Sequence, residues 1–397
     1  MSIFAHRALR TTARGLTAAL FLLAFGRAGQ SEAQALIKVN DNINFKLGIL
    51  IQPQADWQEV RNLTDDGGGG YQQNLFLRRV RLILGGQVAK NVFFFVETEN
   101  STLGKSTQAV GGAQVAKSLG TGFNILDAAA EWRIAKEFNI QFGLIRSPIS
   151  REGLKSTPTQ LMLDQSAYNL PTSAALQNNS ERDTGVMLRG YLLCDRLEYR
   201  SAILAGFRAP GVKNAPRFTE RLQYNFFDTE VYNFVSYPGA YLGTKKILAV
   251  GGGYDTQNDF RYASADMYID WPIPLGSFES TIQYQYINGG KTFTTLPEQN
   301  LFQIEAGVFL KDLGIAPIAR YEQRTFTAAN VNVPAAPKNE NRVALGLNYY
   351  PFPKTPHAFN IKCWWQRVQL NPAANAGQVT PGYATNQFTI QMQVYYF

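Results

Sequence analysis

The sequence predicts an all-β protein: an antiparallel sheet of about sixteen strands closed into a transmembrane β-barrel. Three observations carry this expectation. Segments of about ten residues with alternating apolar and polar side chains recur from residue 43 to the C-terminus, separated by loops rich in Gly, Asn, Asp, Thr and Pro. No apolar run beyond residue 35 approaches the roughly 20 residues of a membrane helix. Only 17% of the 397 residues are charged, below the roughly 25% usual in soluble domains. The 45% apolar and 13% aromatic content excludes a disordered chain.

Residues 1–35 read as a secretory signal to be cleaved, leaving 36–397 as one barrel domain. Arg7, Arg10 and Arg14 form a positive start, Leu16–Phe25 is an apolar run too short to span a bilayer, and Ala33-Gln34-Ala35 fits a small-x-small cleavage site. Cleavage after Ala33 is the alternative. Removing the segment takes away four Arg and Glu32, so the formal charge falls from +8 to +5, with 34 basic and 29 acidic residues left. Part of the basic excess therefore belongs to export.

The alternation places strands at about 43–58, 74–88, 91–101, 124–134, 138–147, 182–191, 197–206, 217–227, 245–254, 260–270, 277–288, 300–310, 314–325, 341–350, 357–369 and 387–397. In the first, Phe45, Leu47, Ile49 and Ile51 share one face, and Lys46, Gln52 and Gln54 the other. In the last, Phe388, Ile390, Met392, Val394 and Tyr396 oppose Gln387, Thr389, Gln391 and Gln393. A soluble sandwich would turn the polar face out. The strand count, the lack of helices, the signal and the aromatic strand ends favour the inverse, with apolar faces on lipid and polar faces on water. Lipid offers the backbone no hydrogen-bond partner, so only a closed sheet satisfies it.

Connections alternate short and long, as expected for turns at one end and loops at the other. Two break the pattern: 255–259 is short and 228–244 is long, which leaves the count uncertain by two strands. Trp57, Trp132, Tyr224, Trp271, Tyr349 and Tyr350 suit interfacial belts. Trp364 and Trp365 must face opposite sides of the wall.

Several stretches resemble the phosphate-selective porin O and P family. They are Phe76–Gly86 (FLRRVRLILGG), Phe142–Pro148 with Glu152 and Leu154, the hairpin Arg182–Gly190 with Leu197-Glu198-Tyr199 and Ala205-Gly206, Ile315–Glu322, and Leu345–Tyr349. The resemblance implies a sixteen-stranded outer-membrane porin of a Gram-negative bacterium. It further implies a homotrimer embedded in the lipid bilayer, passing small anionic or hydrophilic solutes such as phosphate by passive diffusion. One departure is that Phe397 is in phase with Gln391, Gln393 and Tyr395, whereas the apolar set ends at Tyr396. A last residue lying beyond the bilayer edge would account for it.

Alternation assigns Arg79 and Arg81 to the lumen, with Val80, Leu82 and Leu84 on lipid. Glu97 and Glu99 follow on the next strand, then Asp127, Glu131 and Arg133, and later Arg189 and Arg320. A turn centred near Ala89 sets Arg81 opposite Glu97 and Arg79 opposite Glu99. Arg79, Arg81, Arg133, Arg189 and Arg320 are then candidates for an anion track, since a guanidinium is always charged and its fork suits oxyanions. The equal alternative is wall bracing by Arg–Glu pairs, with Glu97, Glu99, Asp127 and Glu131 as counter-charges. Other luminal charges are mixed in sign, so strong anion selectivity comes from the resemblance and not from these residues.

The third long loop, Ser147–Glu181, is the candidate constriction, with Arg146, Arg151 and Lys155 at its start. The alternative is a surface or trimer-contact loop. Arg146 falls in the apolar phase of Phe142 and Leu144, so either the strand ends before it or a bulge re-aims it.

Enzyme readings lack parts. His357 is the one histidine left in the mature chain, and Asp255, Asp259 and Asp266 lack calcium-loop spacing. Gly251-Gly252-Gly253 sits in a strand with no helix after it. No metal, cofactor or nucleic-acid partner is expected, and Cys194 and Cys363 are too far apart in strand order for a disulfide. The rival functions are a general or carboxylate/amide-type porin without anion preference, and a structural or adhesive barrel with a plugged lumen.

Overall fold

Period-two sequences pair into one sheet, and the sheet closes. The computed structural model describes residues 36–60, 70–107, 116–117, 120, 122–169, 181–211, 213–231, 234–294, 296–327, 339–371 and 383–397. Residues 1–35, read above as an export signal, the Asp65–Gly69 stretch and the part of the third loop holding Pro171 and Gln177–Asn179 lie outside the described residues. The wall consists of sixteen strands. They are β1 (Ile43–Val60), β2 (Gly70–Ala89), β3 (Val92–Leu103), β4 (Asn124–Ala135), β5 (Phe138–Arg146), β6 (Arg182–Leu192), β7 (Leu197–Leu204) and β8 (Arg217–Asn225). Then come β9 (Ile247–Gln257), β10 (Phe260–Ile273), β11 (Gly276–Asn288), β12 (Gln299–Leu310), β13 (Ile315–Phe326), β14 (Asn339–Tyr349), β15 (Phe359–Asn371) and β16 (Tyr383–Tyr396). Neighbours in chain order pair antiparallel, and β16 pairs with β1 from Gln387 opposite Gln58 to Tyr396 opposite Ile49. Glutamine amides bridge this seam on the inside: Gln391 donates to Gln54 at 2.8 Å and Gln52 to Gln393 at 2.9 Å.

Burial is inverted relative to a water-soluble sheet. On β8, Phe218 and Leu222 are 49% and 58% exposed while Arg217 and Arg221 are each 1% exposed. The same holds around the ring, where Leu82, Ile203, Leu345 and Ile390 face outward and Gln52, Arg189, Asp255 and Gln393 face inward. An apolar surface of this extent needs lipid as its solvent. Inward polar groups meet one another, which offsets the cost of removing them from water.

The expected strands are all present, and the two irregular connections are real. Asn258-Asp259 is a tight turn at the long-loop end, with Asn258 at φ 54°. The 226–246 connection is long because it folds into the barrel. The expected register between β2 and β3 is corrected by two residues: Arg81 stands opposite Glu99, and Glu97 opposite Ile83. The turn centres on Lys90-Asn91, with Asn91 at φ 64°, and a bulge at Val88 shifts the ladder.

Three belt and terminus expectations resolve on the inside. Tyr350 is 1% exposed and packs inward on Phe309 instead of joining an interfacial belt. Trp364 is the luminal member of its pair, 5.6 Å from the Arg320 guanidinium. Phe397 follows β16 and turns into the lumen, edge-on to Phe95 at 5.7 Å and beneath the Lys46 ammonium. Gly48 makes room for it, since a Cβ there would lie 2.6 Å from the Phe397 ring. Both cysteines are free and exposed.

Candidate functional site

The lumen contains the apolar core of the molecule, supplied by two segments that fold in. Ser147–Asn169, the described part of the third loop, is an inward strap. Its first turn, α1 (Arg151–Leu154), is capped by Ser150, whose Oγ accepts from Gly153 N at 3.1 Å. All four helical residues are buried. Leu161, Met162 and Leu163 then pack on Phe309, Ile318, Tyr350 and Trp364. Main-chain carbonyls along the strap are taken up by the wall: Lys362 Nζ donates to Gln160 O and Met162 O at 2.7 Å each, Asn348 to Leu161 O at 2.7 Å, and Gln393 to Pro158 O at 2.8 Å.

The second segment enters from the short-turn end, between β8 and β9. Ser156 N donates to Tyr237 O and Tyr237 N to Leu154 O, each at 2.8 Å, so the two segments form a short parallel bridge inside the barrel. Gly239 crosses the strap so closely that a Cβ there would lie 2.3 Å from Gln160 N. Arg151 makes a two-pronged pair with Glu230 at 2.8 Å on each prong and lies 3.6 Å from the Tyr268 ring. The Tyr237 hydroxyl donates to Glu198 at 2.7 Å, and its ring faces Arg151, Arg200 and Arg221.

The candidate track, counter-charge and constriction residues all face inward, and each contacts an opposite charge. Arg81 reaches Glu99 at 2.5 Å and Glu97 at 3.1 Å. Arg79 lies 3.7 Å from Glu99 and also pairs with Asp164 of the strap. Arg133 and Arg189 share Glu131 at 2.6 Å each. Arg320 holds Glu305 at 3.0 Å, which also takes Lys155. Asp127 accepts Arg182 at 2.9 Å and has Arg146 at 3.8 Å. The strand does not end before Arg146: it is the last residue of β5 and stands opposite Arg182, and its guanidinium donates to Lys155 O at 3.1 Å.

Sequence reasoning missed Arg78. Alternation sends it to lipid, yet the β1–β2 ladder passes directly from Leu77 to Arg79 opposite Pro53 and Gln52, which leaves Arg78 as a bulge. Its guanidinium points inward and holds Asp164 at 2.6 and 2.9 Å. Two signals were present. Adjacent arginines cannot both face the lumen on a regular strand, and Pro53 supplies no ladder donor. Tyr237 and Glu230 are not marked by alternation, because they lie in the long connection that breaks the short–long pattern. The aromatic run from Phe234 to Tyr241 was the signal that it is buried.

Two cavities flank the strap. One of about 570 Å³ lies toward the long loops, lined by Arg78, Lys105, Arg320 and Arg342, by Asp56, Asp164 and Glu322, and by Gln54, Gln366 and Gln387. The other, of about 760 Å³, lies at the short-turn end beside Pro238–Thr244, Lys311, Asp312 and His357.

The third loop ends on a buried carboxyl, Glu181. Glu181, at φ 67°, accepts Ser147 N through its carbonyl at 2.8 Å. Burial pushes its carboxyl up to about 7 against the pull of Arg182 and Arg146, with Glu152 adding to the rise. The folded state therefore holds this proton more tightly than the unfolded chain. The associated stability is complete below the ordinary value of 4.5 and is lost as pH rises through about 7. Glu181→Gln is expected to flatten the melting temperature across that window; an unchanged slope contradicts the assignment.

Comparison with known proteins agrees with this geometry. Residues 47–188 match the family model of phosphate-selective porin O and P, the family already indicated by the motifs. No curated protein matches the sequence. Among solved structures, the outer membrane channel DcaP of Acinetobacter baumannii aligns with a TM-score of 0.55 at 11% identity, over 91% of this chain and 99% of that one. An anion-selective porin from Comamonas acidovorans aligns with a TM-score of 0.51 at 10% identity, over 89% of this chain and 99% of that one. The fold is thus the closed sixteen-stranded barrel of outer-membrane porins.

Proposed function

We propose that the chain is an outer-membrane diffusion channel for small hydrophilic solutes, with anions such as phosphate favoured, working as a homotrimer after export by residues 1–35. The carrying observation is a charged lumen narrowed by an inward strap, with water-sized space on both sides of it. Four basic against three acidic residues line the cavity toward the long loops, and the bulge at Arg78 supplies the extra cation. The matched family of phosphate-selective porins and the likeness to an anion-selective Comamonas porin support the same reading. The trimer rests on the family resemblance. Glu220 supports it, facing outward between Phe218 and Leu222, where contact with a neighbouring protomer costs less than contact with lipid.

The glutamine row in the same cavity favours the rival reading, a porin for amide- or carboxylate-bearing solutes without anion preference. A planar-bilayer recording under a KCl gradient separates the two. An anion-directed reversal potential is expected, and a reversal at zero or toward cations removes the anion preference. Arg79→Ala with Arg81→Ala is expected to lower anion permeability. Unchanged permeability with lost heat stability would instead make both arginines braces.

A further inference from the structure

The long connection between β8 and β9 has no part in the reading above, and its placement limits where solute can travel. Its described residues, 226–231 and 234–246, enter the barrel from the short-turn end and meet the strap coming from the other end. The contact is built at every level. Main chain pairs with main chain at Leu154, Ser156 and Tyr237, Gly239 N donates to Thr159 Oγ1 at 2.7 Å, and Arg151 is clasped by Glu230. The far end is fixed to the wall by Asp270, whose carboxylate accepts the amides of Tyr241, Leu242 and Gly243.

The side chains behind this double layer are all closed off. Arg189, Arg200, Arg217, Arg221, Tyr262 and Tyr268 belong to the wall from β6 to β10, and each is under 2% exposed. Their charges are matched locally: Arg200 with Glu198 at 2.8 Å, Arg217 with Asp255 at 2.5 Å, Arg221 with Asp266 at 2.6 Å. Ala202 lies in the same region, packed with Ile145, Met187, Leu204 and Phe234 of the incoming segment. The opposite wall is mixed. Arg81, Glu131 and Lys362 are buried there too, but Arg133, Glu99, Arg78 and Arg342 keep 21%, 16%, 17% and 24% of their side chains exposed, and the cavity toward the long loops opens along β13–β16 and β1–β2.

We propose that residues 226–231 and 234–246 form a second, turn-side plug that joins the strap to seal the half of the lumen under β6–β10, confining solute to the half facing β13–β16 and β1–β4. Arg189, Arg200, Arg217 and Arg221 are then structural, whereas Arg78, Lys105, Arg342 and Asp164 set which solutes pass. The proposal rests on the channel reading, so its test must fail separately from that reading.

Cysteine accessibility in the full chain does this. In a Cys194→Ser, Cys363→Ser background, Gln387→Cys marks the open half and Ala202→Cys the sealed half. A charged methanethiosulfonate reagent is expected to remove most of the current through Gln387→Cys and none through Ala202→Cys. Tyr237→Ala, which deletes the ring that three arginines face, is expected to raise the conductance and to make Ala202→Cys reactive. Block of Ala202→Cys in the otherwise unaltered barrel, or a Gln387→Cys channel that ignores the reagent, overturns the one-sided path. If Tyr237→Ala does not insert, the labelling contrast between Gln387→Cys and Ala202→Cys still decides. Absence of any current from the cysteine-free parent would sink the channel reading itself.

Discussion

Arg151→Ala is expected to destabilise the barrel by about 3–5 kcal/mol, the usual cost of leaving one partner of a buried ion pair alone. Arg151 and Glu230 are both fully buried, joined by two hydrogen bonds of 2.8 Å. Truncation leaves the Glu230 carboxylate with Gln223 and the Tyr241 hydroxyl as its donors. It also removes the stack on Tyr268 at 3.6 Å, so packing is lost along with charge. The same pair joins the strap to the turn-side segment, and larger, noisier current steps are expected with the lower melting temperature. Glu230→Gln keeps the shape and is expected to cost less. Equal losses for the two variants would show that the charge, and not the packing on Tyr268, carries the whole effect.

The second large effect is on selectivity. Asp164 is held by Arg78 at 2.6 Å, by Arg79, and through its carbonyl by Arg320 at 2.6 Å. It is the negative centre of a cluster of arginines at the cavity wall. Asp164→Asn removes one negative charge and takes the carboxylate from Arg78 and Arg79, so the reversal potential is expected to move toward anions. Arg78→Gln is expected to move it the other way. The side chains of Arg78 and Asp164 are 17% and 28% exposed, so the effect should weaken as salt rises. A shift of the same sign for both variants would contradict an electrostatic role.

The wall was legible in the sequence because lipid and water impose a strict period of two. From Phe45–Ile51 to Phe388–Tyr396, each strand repeats one face that lipid accepts. What broke the period was not legible from alternation alone. Arg78 needed the bulge beside Pro53. The β2–β3 register needed the bulge at Val88, and Phe397 needed the space at Gly48. The charged candidates were placed on the correct face, since parity fixes the side of the sheet. Their register was not correct, although Arg81 still reaches Glu97 and Arg79 still reaches Glu99; the further partner Asp164 depends on the strap. The largest omission was the turn-side segment. Connection length set it apart from the other turns, but whether a long turn hangs out or folds in depends on what it meets, here Leu154–Gln160 across the lumen.

The most direct test of the whole account is the current carried by the purified mature barrel in a planar bilayer. Discrete, ohmic steps in KCl are predicted, smaller than those of the Tyr237→Ala barrel. A properly folded, membrane-inserted protein that carries no current, before or after that substitution, would contradict a channel and leave a closed structural barrel in its place.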